Sequence, residues 1–302
     1  MRRLSILFCL LLSLTATARA QTAADNAHDL SYGVGIAPNI TYLRADGEEL
    51  KLDVVFRRSG APQPVLLYMH GGGWVGGQKE SSFAHFIPWL EMGYSVVNVE
   101  YRMGQVALAP GAVEDCRCAL RWLIANADTY NLDPQRIVVS GHSAGGHLSL
   151  TTGFLPASAG LDKRCPVRVL PADSSEPEMP VAAVVNWFGI TDVNDLIAGK
   201  NAKVYAVQWL GSLHDREAVA KRVSPMTYVR AGLPPVLTIH GDADPIVPYQ
   251  HGVDLHEALK ATGGVSQLHT VAGGGHGGFS LEESRSAFAA IRGFLDEQQL
   301  LP

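Results

Sequence analysis

Charge is scarce in this chain, and no excess of positive charge offsets the scarcity. Charged residues make up 18% of the 302 positions and apolar ones 47%, which excludes a disordered polyelectrolyte and leaves ample material for a large core. The formal net charge is −5, and loss of residues 1–20, with Arg2, Arg3 and Arg19, would take it to −8. Nucleic acid and anionic membrane are therefore not expected as partners. The most apolar stretch, Leu4 to about Leu14, is too short to cross a bilayer, which takes roughly 20 residues. H-E-x-x-H, C-x-x-C and carboxylate clusters at metal-ligand spacing are all missing, so no metal is expected. The G-x-x-x-x-G-K-[ST] phosphate cradle is missing too, and no cofactor is expected. Without repeats, low-complexity tracts or a long polar linker, the chain reads as one domain.

Residues 1–20 begin with Arg2-Arg3, continue through that short apolar run and end in Ala18-Arg19-Ala20, an A-x-A cleavage pattern. They are expected to be a secretory signal peptide, with 21–302 as the folded domain and the mature chain periplasmic or secreted. A retained anchor is the alternative, and the length of the run argues against it. Cysteine is scarce as well, with four in all. Export would place Cys116, Cys118 and Cys165 in an oxidising compartment. Cys116 and Cys118, two apart on a predicted helix, face different ways and should not bond each other. Either can pair with Cys165. Cys118 is the better placed, because Cys116 aligns with Leu120 and Leu123 on the core face; three free thiols is the alternative.

What the chain has in quantity is glycine, 31 residues, and much of it clusters just after apolar runs. From Asn39 onward strands and helices alternate, the pattern of an α/β domain with a mostly parallel sheet. A leading hairpin is expected at 40–44 and 50–56 around Asp46-Gly47. Buried strands are expected at 65–69, 95–99, 137–139, 181–187, 236–240 and 267–271. Helices are expected at 82–92, 114–126, after the serine turn to about 155, and at 202–210, 249–261 and 280–294. On the second of these, Arg117 and Arg121 are expected opposite the apolar face. Residues 156–180, rich in proline, are expected to make a surface excursion over or beside the site.

The stretch around which the rest is organised is Arg136–Gly146. An apolar strand stops at Ser140-Gly141 and turns at once into a helix whose start reads Gly141-His142-Ser143-Ala144-Gly145, a G-x-S-x-G pattern. On such an elbow the serine hydroxyl is pushed out of the sheet and neighbouring side chains must be very small. A serine nucleophile needs a base and a group to orient that base, and in an open sheet both come from the carboxyl ends of later strands. Asp244 follows the run at 236–240, with Asp242 as the runner-up, and His276 follows the last strand among five glycines. His70-Gly71-Gly72-Gly73-Trp74 follows the strand at 65–69. The amides of Gly72, Gly73 and Ala144 can converge on an oxygen that becomes negative. Trp74, Trp187 and Phe188 stand at strand ends and are expected to wall the substrate pocket, with core packing as the competing role. His147 is expected to be buried.

Taken together, HGGGW at 70–74, YR at 101–102, GHSAGGH at 141–147, HGDADPIVP at 240–248 and GGGHGGF at 273–279 resemble the α/β-hydrolase esterases. The chain is most similar to bacterial bifunctional feruloyl/acetyl-xylan esterase-like carboxylesterases, neighbours of the hormone-sensitive-lipase group. The resemblance spans nearly all of 38–298. It implies an α/β-hydrolase fold, an eight-stranded, mostly parallel sheet with helices on both faces, and hydrolysis of small carboxylic esters, acetyl or feruloyl esters of plant polysaccharide among them. It implies Ser143 as nucleophile, Asp244 as acid, His276 as base, and Gly72, Gly73 and Ala144 as oxyanion donors. The lipase-group elbow usually carries Asp before the serine, where this chain has His142. Residues 21–38 also leave no room for that group's long cap helices. Two rival expectations are an amide-cleaving enzyme of the same fold, formamidase or exopeptidase-like, and a non-catalytic carbohydrate-associated protein. Oligomeric state is left open.

Overall fold

The computed structural model describes residues 32–58, 60–166 and 179–302; the expected signal peptide and residues 167–178 of the expected excursion lie outside them. The continuous apolar runs form the middle of the sheet. In β3 (Gln63–Met69), β4 (Ser95–Val99) and β5 (Leu132–His142) the aliphatic side chains are almost wholly buried, as strands covered on both faces must be. With β1 (Val34–Ala45), β2 (Glu48–Arg57), β6 (Ala183–Trp187), β7 (Val236–Gly241) and β8 (Ser266–Val271) they make an eight-stranded sheet in the order β1-β2-β4-β3-β5-β6-β7-β8. The β1/β2 and β2/β4 pairs are antiparallel and every later pair is parallel. Asp46 and Gly47 join β1 to β2 with φ of 52° and 84°, the paired positive dihedrals of the tightest hairpin turn.

Alternate residues of the sheet pack against different helices. Val65, Leu67, Met69, Val97 and Val139 share one core with α2 (Gly111–Asn126) and α3 (Ala144–Phe154). Tyr68 lies instead against Phe86 of α1 (Phe83–Glu91), and Trp187 against Phe288 of α7 (Leu281–Glu297), so helices cover both faces. Between them come α4 (Val204–Leu210), α5 (Arg216–Val223) and α6 (Gln250–Ala261). Ser280 caps α7 reciprocally with Glu283, a start signal legible in the sequence.

Two local expectations are corrected and one helix is added. The elbow strand, expected at 137–139, starts earlier, because β5 begins at Leu132. Gln63 pairs with Leu132 and Val65 with Ile137, so residues 133–136 bulge out, and a proline without an N–H is tolerated there. Arg117 does not lie on a solvated face. It is buried, its guanidinium paired with both oxygens of Asp162 at 2.8 Å and donating to the Thr152 carbonyl; the segment after α3 supplies the charge that permits this. Helix α5 was not expected, since it is short and half of its eight residues are charged.

Cys118 is bonded to Cys165, and Cys116 is free and buried. In the chain-entropy view, a bridge across 47 residues stabilises by about 4 kcal/mol. Titration of the protein lacking residues 1–20, unfolded without reductant, is therefore expected to find one reactive thiol. Three would exclude the bond.

Candidate active site

Ser143 is the single residue between β5 and α3, with φ 57° and ψ −116°. A side chain in that region is strained. The strain is held by Ser143 N–H donating to the Trp187 carbonyl at 2.9 Å and by the Ser143 carbonyl accepting from His147 N–H at 3.0 Å. The elbow glycines are dictated by contact rather than flexibility. A Cβ on Gly145 would lie 2.1 Å from the Met69 carbonyl oxygen, and one on Gly141 2.4 Å from the same atom. The serine turn is thereby pressed onto the end of β3, where His70–Trp74 begins.

Gly72, Gly73 and Trp74 all have positive φ, and the Gly72 carbonyl accepts from the amides of Val75 and Gly76. The N–H groups of Gly72 and Gly73 make no hydrogen bond among the described residues. Both glycines line a cavity of about 320 Å³ together with Ser143 and His276. The Ala144 amide opens α3 beside it, where helix donors are unpaired and the dipole favours negative charge. The loop is anchored from the end of β4. His70 stacks on Tyr101 with ring centroids 4.3 Å apart, its Nε2 lies 3.2 Å from Glu100, and Tyr101 donates to its carbonyl at 2.9 Å.

Asp244 follows β7 and His276 follows β8. His276 Nδ1 donates to Asp244 Oδ2 at 2.7 Å, and Asp244 Oδ1 accepts from the amides of Ile246 and Val247 at 2.8 and 3.0 Å. Burial alone would raise the Asp244 pKa. Hydrogen bonds from His240 and His276, the His276 charge and the Ile246 amide outweigh it, holding the carboxyl well below the usual range. Asp242 accepts instead from the Gly273 amide at 2.6 Å, so the geometry favours Asp244 as the partner of His276. Ser143 and His276 face one cavity without being hydrogen-bonded to each other; such contacts commonly close around a substrate.

Other residues arrive unannounced. His240 Nε2 faces two acceptors, the Val247 carbonyl at 3.1 Å and Asp244 Oδ2 at 3.2 Å, so it carries the proton and braces the same carboxylate oxygen that His276 bonds. Its place at the head of HGDADPIVP was the available signal. Tyr205 of α4 lines the Ser143 cavity with a buried hydroxyl that has no partner among the described residues, and burial raises its pKa. Phe188 lines this cavity and also a second one of about 560 Å³, which Trp187 lines too.

Trp74 is the exception among the expected pocket residues. It is fully buried, stacks on Trp209 at 4.2 Å and donates to His147 Nδ1 at 3.1 Å, and it reaches neither cavity. The positive φ that carries the chain past Gly73 turns this residue into the core.

The order of the sheet and the serine elbow between β5 and α3 together define an α/β-hydrolase fold. The BD-FAE family model matches residues 40–259, and the chain belongs to that family. It is 26% identical to Esterase LipQ of Mycobacterium tuberculosis over 90% of this chain and 62% of that protein. It is 30% identical to Esterase LipC of the same organism over 74% and 55%. The chain thus spans less than two thirds of the length of these relatives. Among solved structures, the propionate-bound thermophilic esterase Est2 of Thermogutta terrifontis superposes with a TM-score of 0.71 at 25% identity, covering 89% of this chain and 96% of that one. The bifunctional GH43-CE protein of Bacteroides eggerthii superposes at 0.70 with 28% identity, over 87% of this chain and 38% of that one.

His147 is buried as expected. Its Nε2 donates to the Val223 carbonyl at 2.7 Å, and burial pushes its pKa down to about 3, with that hydrogen bond acting the other way. The folded chain then binds fewer protons than the unfolded one between about pH 6.5 and 3. The stability from a neutral His147 is complete above pH 6.5 and falls as pH drops through that window, by about 1.4 kcal/mol per unit. Denaturant unfolding at pH 7.5, 6, 5 and 4 is expected to show His147→Gln less stable at pH 7.5 but with a shallower decline. Equal slopes would exclude the linkage.

Proposed function

We propose that this protein hydrolyses small carboxylic esters through an acyl-enzyme on Ser143. His276 takes the proton as the Ser143 oxygen attacks the acyl carbon, and the amides of Gly72, Gly73 and Ala144 receive the negative oxygen. The C–O bond then breaks and His276 returns the proton to the departing alcohol. Water, deprotonated by His276, attacks the acyl carbon; the bond to the Ser143 oxygen breaks, His276 returns its proton to that oxygen, and the acid is released. Asp244 keeps the His276 Nδ1 proton in place and stabilises the imidazolium. The observation that carries this proposal is the 2.7 Å Asp244–His276 bond beside a cavity shared by Ser143, His276 and two glycines with uncommitted amides.

The finer proposal is an exported enzyme acting on acetyl or feruloyl esters of plant polysaccharide. Membership of the BD-FAE family, the likeness to the Bacteroides eggerthii GH43-CE protein and the Cys118–Cys165 bond support it. The Thermogutta terrifontis esterase, bound to propionate in one structure and butyrate in another, supports short acyl groups.

Ser143→Ala is expected to abolish hydrolysis of p-nitrophenyl acetate and labelling by a fluorophosphonate while keeping the wild-type melting transition. Near-wild-type turnover would end the proposal. Asp244→Asn is expected to lose on the order of 10⁴ in kcat, far more than Asp242→Asn; steady-state kinetics that reverse this ranking would move the acid to Asp242.

A further inference from the structure

Two cavities meet at His276 and Phe188, and they differ in what else they touch. The smaller contains Ser143 and the loop glycines Gly72 and Gly73. The larger contains neither Ser143 nor those two glycines, but it extends along His276, Gly277, Gly278 and Phe279. The acyl group stays bonded to Ser143 after the alcohol has left, so it belongs in the cavity that holds Ser143. The alcohol oxygen takes its proton from His276, so the larger cavity is where the alcohol departs.

The larger cavity has a particular chemistry. Trp187, Phe188, Phe279 and Phe288 give it aromatic walls, and none of the described residues that line it is Asp, Glu, Lys or Arg. Its polar groups are imidazoles, hydroxyls and an amide, among them His85, His142, Ser81, Ser284 and Gln78. His142 is fixed on both sides. Its ring stacks on Trp187 at 4.9 Å, and its Nδ1 lies 2.5 Å from the Tyr68 hydroxyl. Burial raises the pKa of that phenol, which keeps its proton and has His142 Nδ1 as its hydrogen-bond partner. Nδ1 is therefore the acceptor and Nε2 carries the ring N–H. No described residue accepts from Nε2, and that nitrogen is not among the fully buried unpaired atoms. Burial, with His85 and His276 adding to it, holds the imidazole neutral.

We propose that the larger cavity is the alcohol subsite and that His142, held in one tautomer by Tyr68, donates from Nε2 to a hydroxyl of the leaving alcohol and so selects neutral, hydroxyl-bearing alcohols over alkyl ones. Resting on the acyl-enzyme proposal above, it adds the residue that reads the alcohol. Tyr68 is a positioning residue, since it acts through the ring of His142.

The test uses matched acetates, 2,3-dihydroxypropyl acetate and propyl acetate, each corrected for its rate of alkaline hydrolysis. Wild type is expected to favour the hydroxylated ester by about tenfold in kcat/KM, the scale of one or two neutral hydrogen bonds. In His142→Phe, which keeps a ring to stack on Trp187, that ratio is expected to fall towards one, and in Tyr68→Phe part of the way. The acetate-to-butyrate ratio with a fixed alcohol is expected to hold in both variants. An unchanged alcohol ratio in an active His142→Phe, or an altered acyl ratio in its place, would overturn the assignment. Should the variants not fold, wild type alone decides. Glycerol is expected to intercept the acyl-enzyme several-fold better than 1-propanol at equal concentration, and equal interception would overturn the proposal. Loss of Ser143 labelling would overturn the acyl-enzyme proposal itself, whereas intact labelling without hydroxyl preference overturns this inference alone.

Discussion

The site depends on one close approach between two turns. Met69 at the end of β3 is paired with Gly141 of β5, and Gly141 and Gly145 meet the Met69 carbonyl so closely that neither could carry a Cβ. This contact sets the separation between the Ser143 elbow and the Gly72-Gly73 loop. Because it is a contact of backbone with backbone at the end of a parallel pair, the register of the sheet determines it. Loop conformation contributes little. A one-residue slip of β5 against β3 would turn Ser143 to the other face and part the two turns. The strain stored at Ser143, and at the adjoining positive-φ residues Trp74 and Phe188, is tolerable because packed strands on both sides over-determine it.

The acid is constrained just as closely by different means. Asp244 has an N–H donor at each lone-pair site it can use, two amides on Oδ1 and two imidazoles on Oδ2. A carboxylate so saturated cannot rotate without leaving a buried donor unpaired, a loss of about 1–3 kcal/mol for each. On the proposed mechanism this rigidity fixes the His276 tautomer. It also explains why two aspartates two residues apart have separate tasks, with Asp242 tying the Gly273 turn that leads to His276.

Sequence made the frame legible wherever burial is uniform along an element. The strand at 65–69 is apolar throughout, those at 95–99 and 236–240 are apolar but for Ser95, Asn98, Thr238 and His240, and the glycines after them mark turns that side chains would block. The order Ser143, Asp244, His276 could be read because each follows such a run. What escaped depends on partners far away in the chain. Arg117 looks like a solvated residue until Asp162, brought back by the turn after α3, is beside it. Trp74 looks like a pocket wall until α4 presents Trp209 for it to stack on. His240 belongs to a legible motif, yet its role turns on the direction of Nε2, which periodicity does not encode.

The substitution of histidine for the acid usual before the serine in the lipase group has a physical consequence. A carboxylate at position 142, beside Ser143 in the chain, would stand near the acyl oxygen that becomes negative during attack and would oppose that charge. At an effective dielectric of about 20, two like charges some 6 Å apart repel by roughly 3 kcal/mol. It would also reward a cationic alcohol. The imidazole of His142, stacked on Trp187 and bonded to Tyr68, carries no charge and still presents a directed hydrogen-bonding group. It can therefore distinguish alcohols by their hydroxyls without disturbing the oxyanion. The shape of this end of the sheet, aromatic walls with neutral polar groups between them, follows from filling position 142 with a ring that packs instead of a charge that must be solvated.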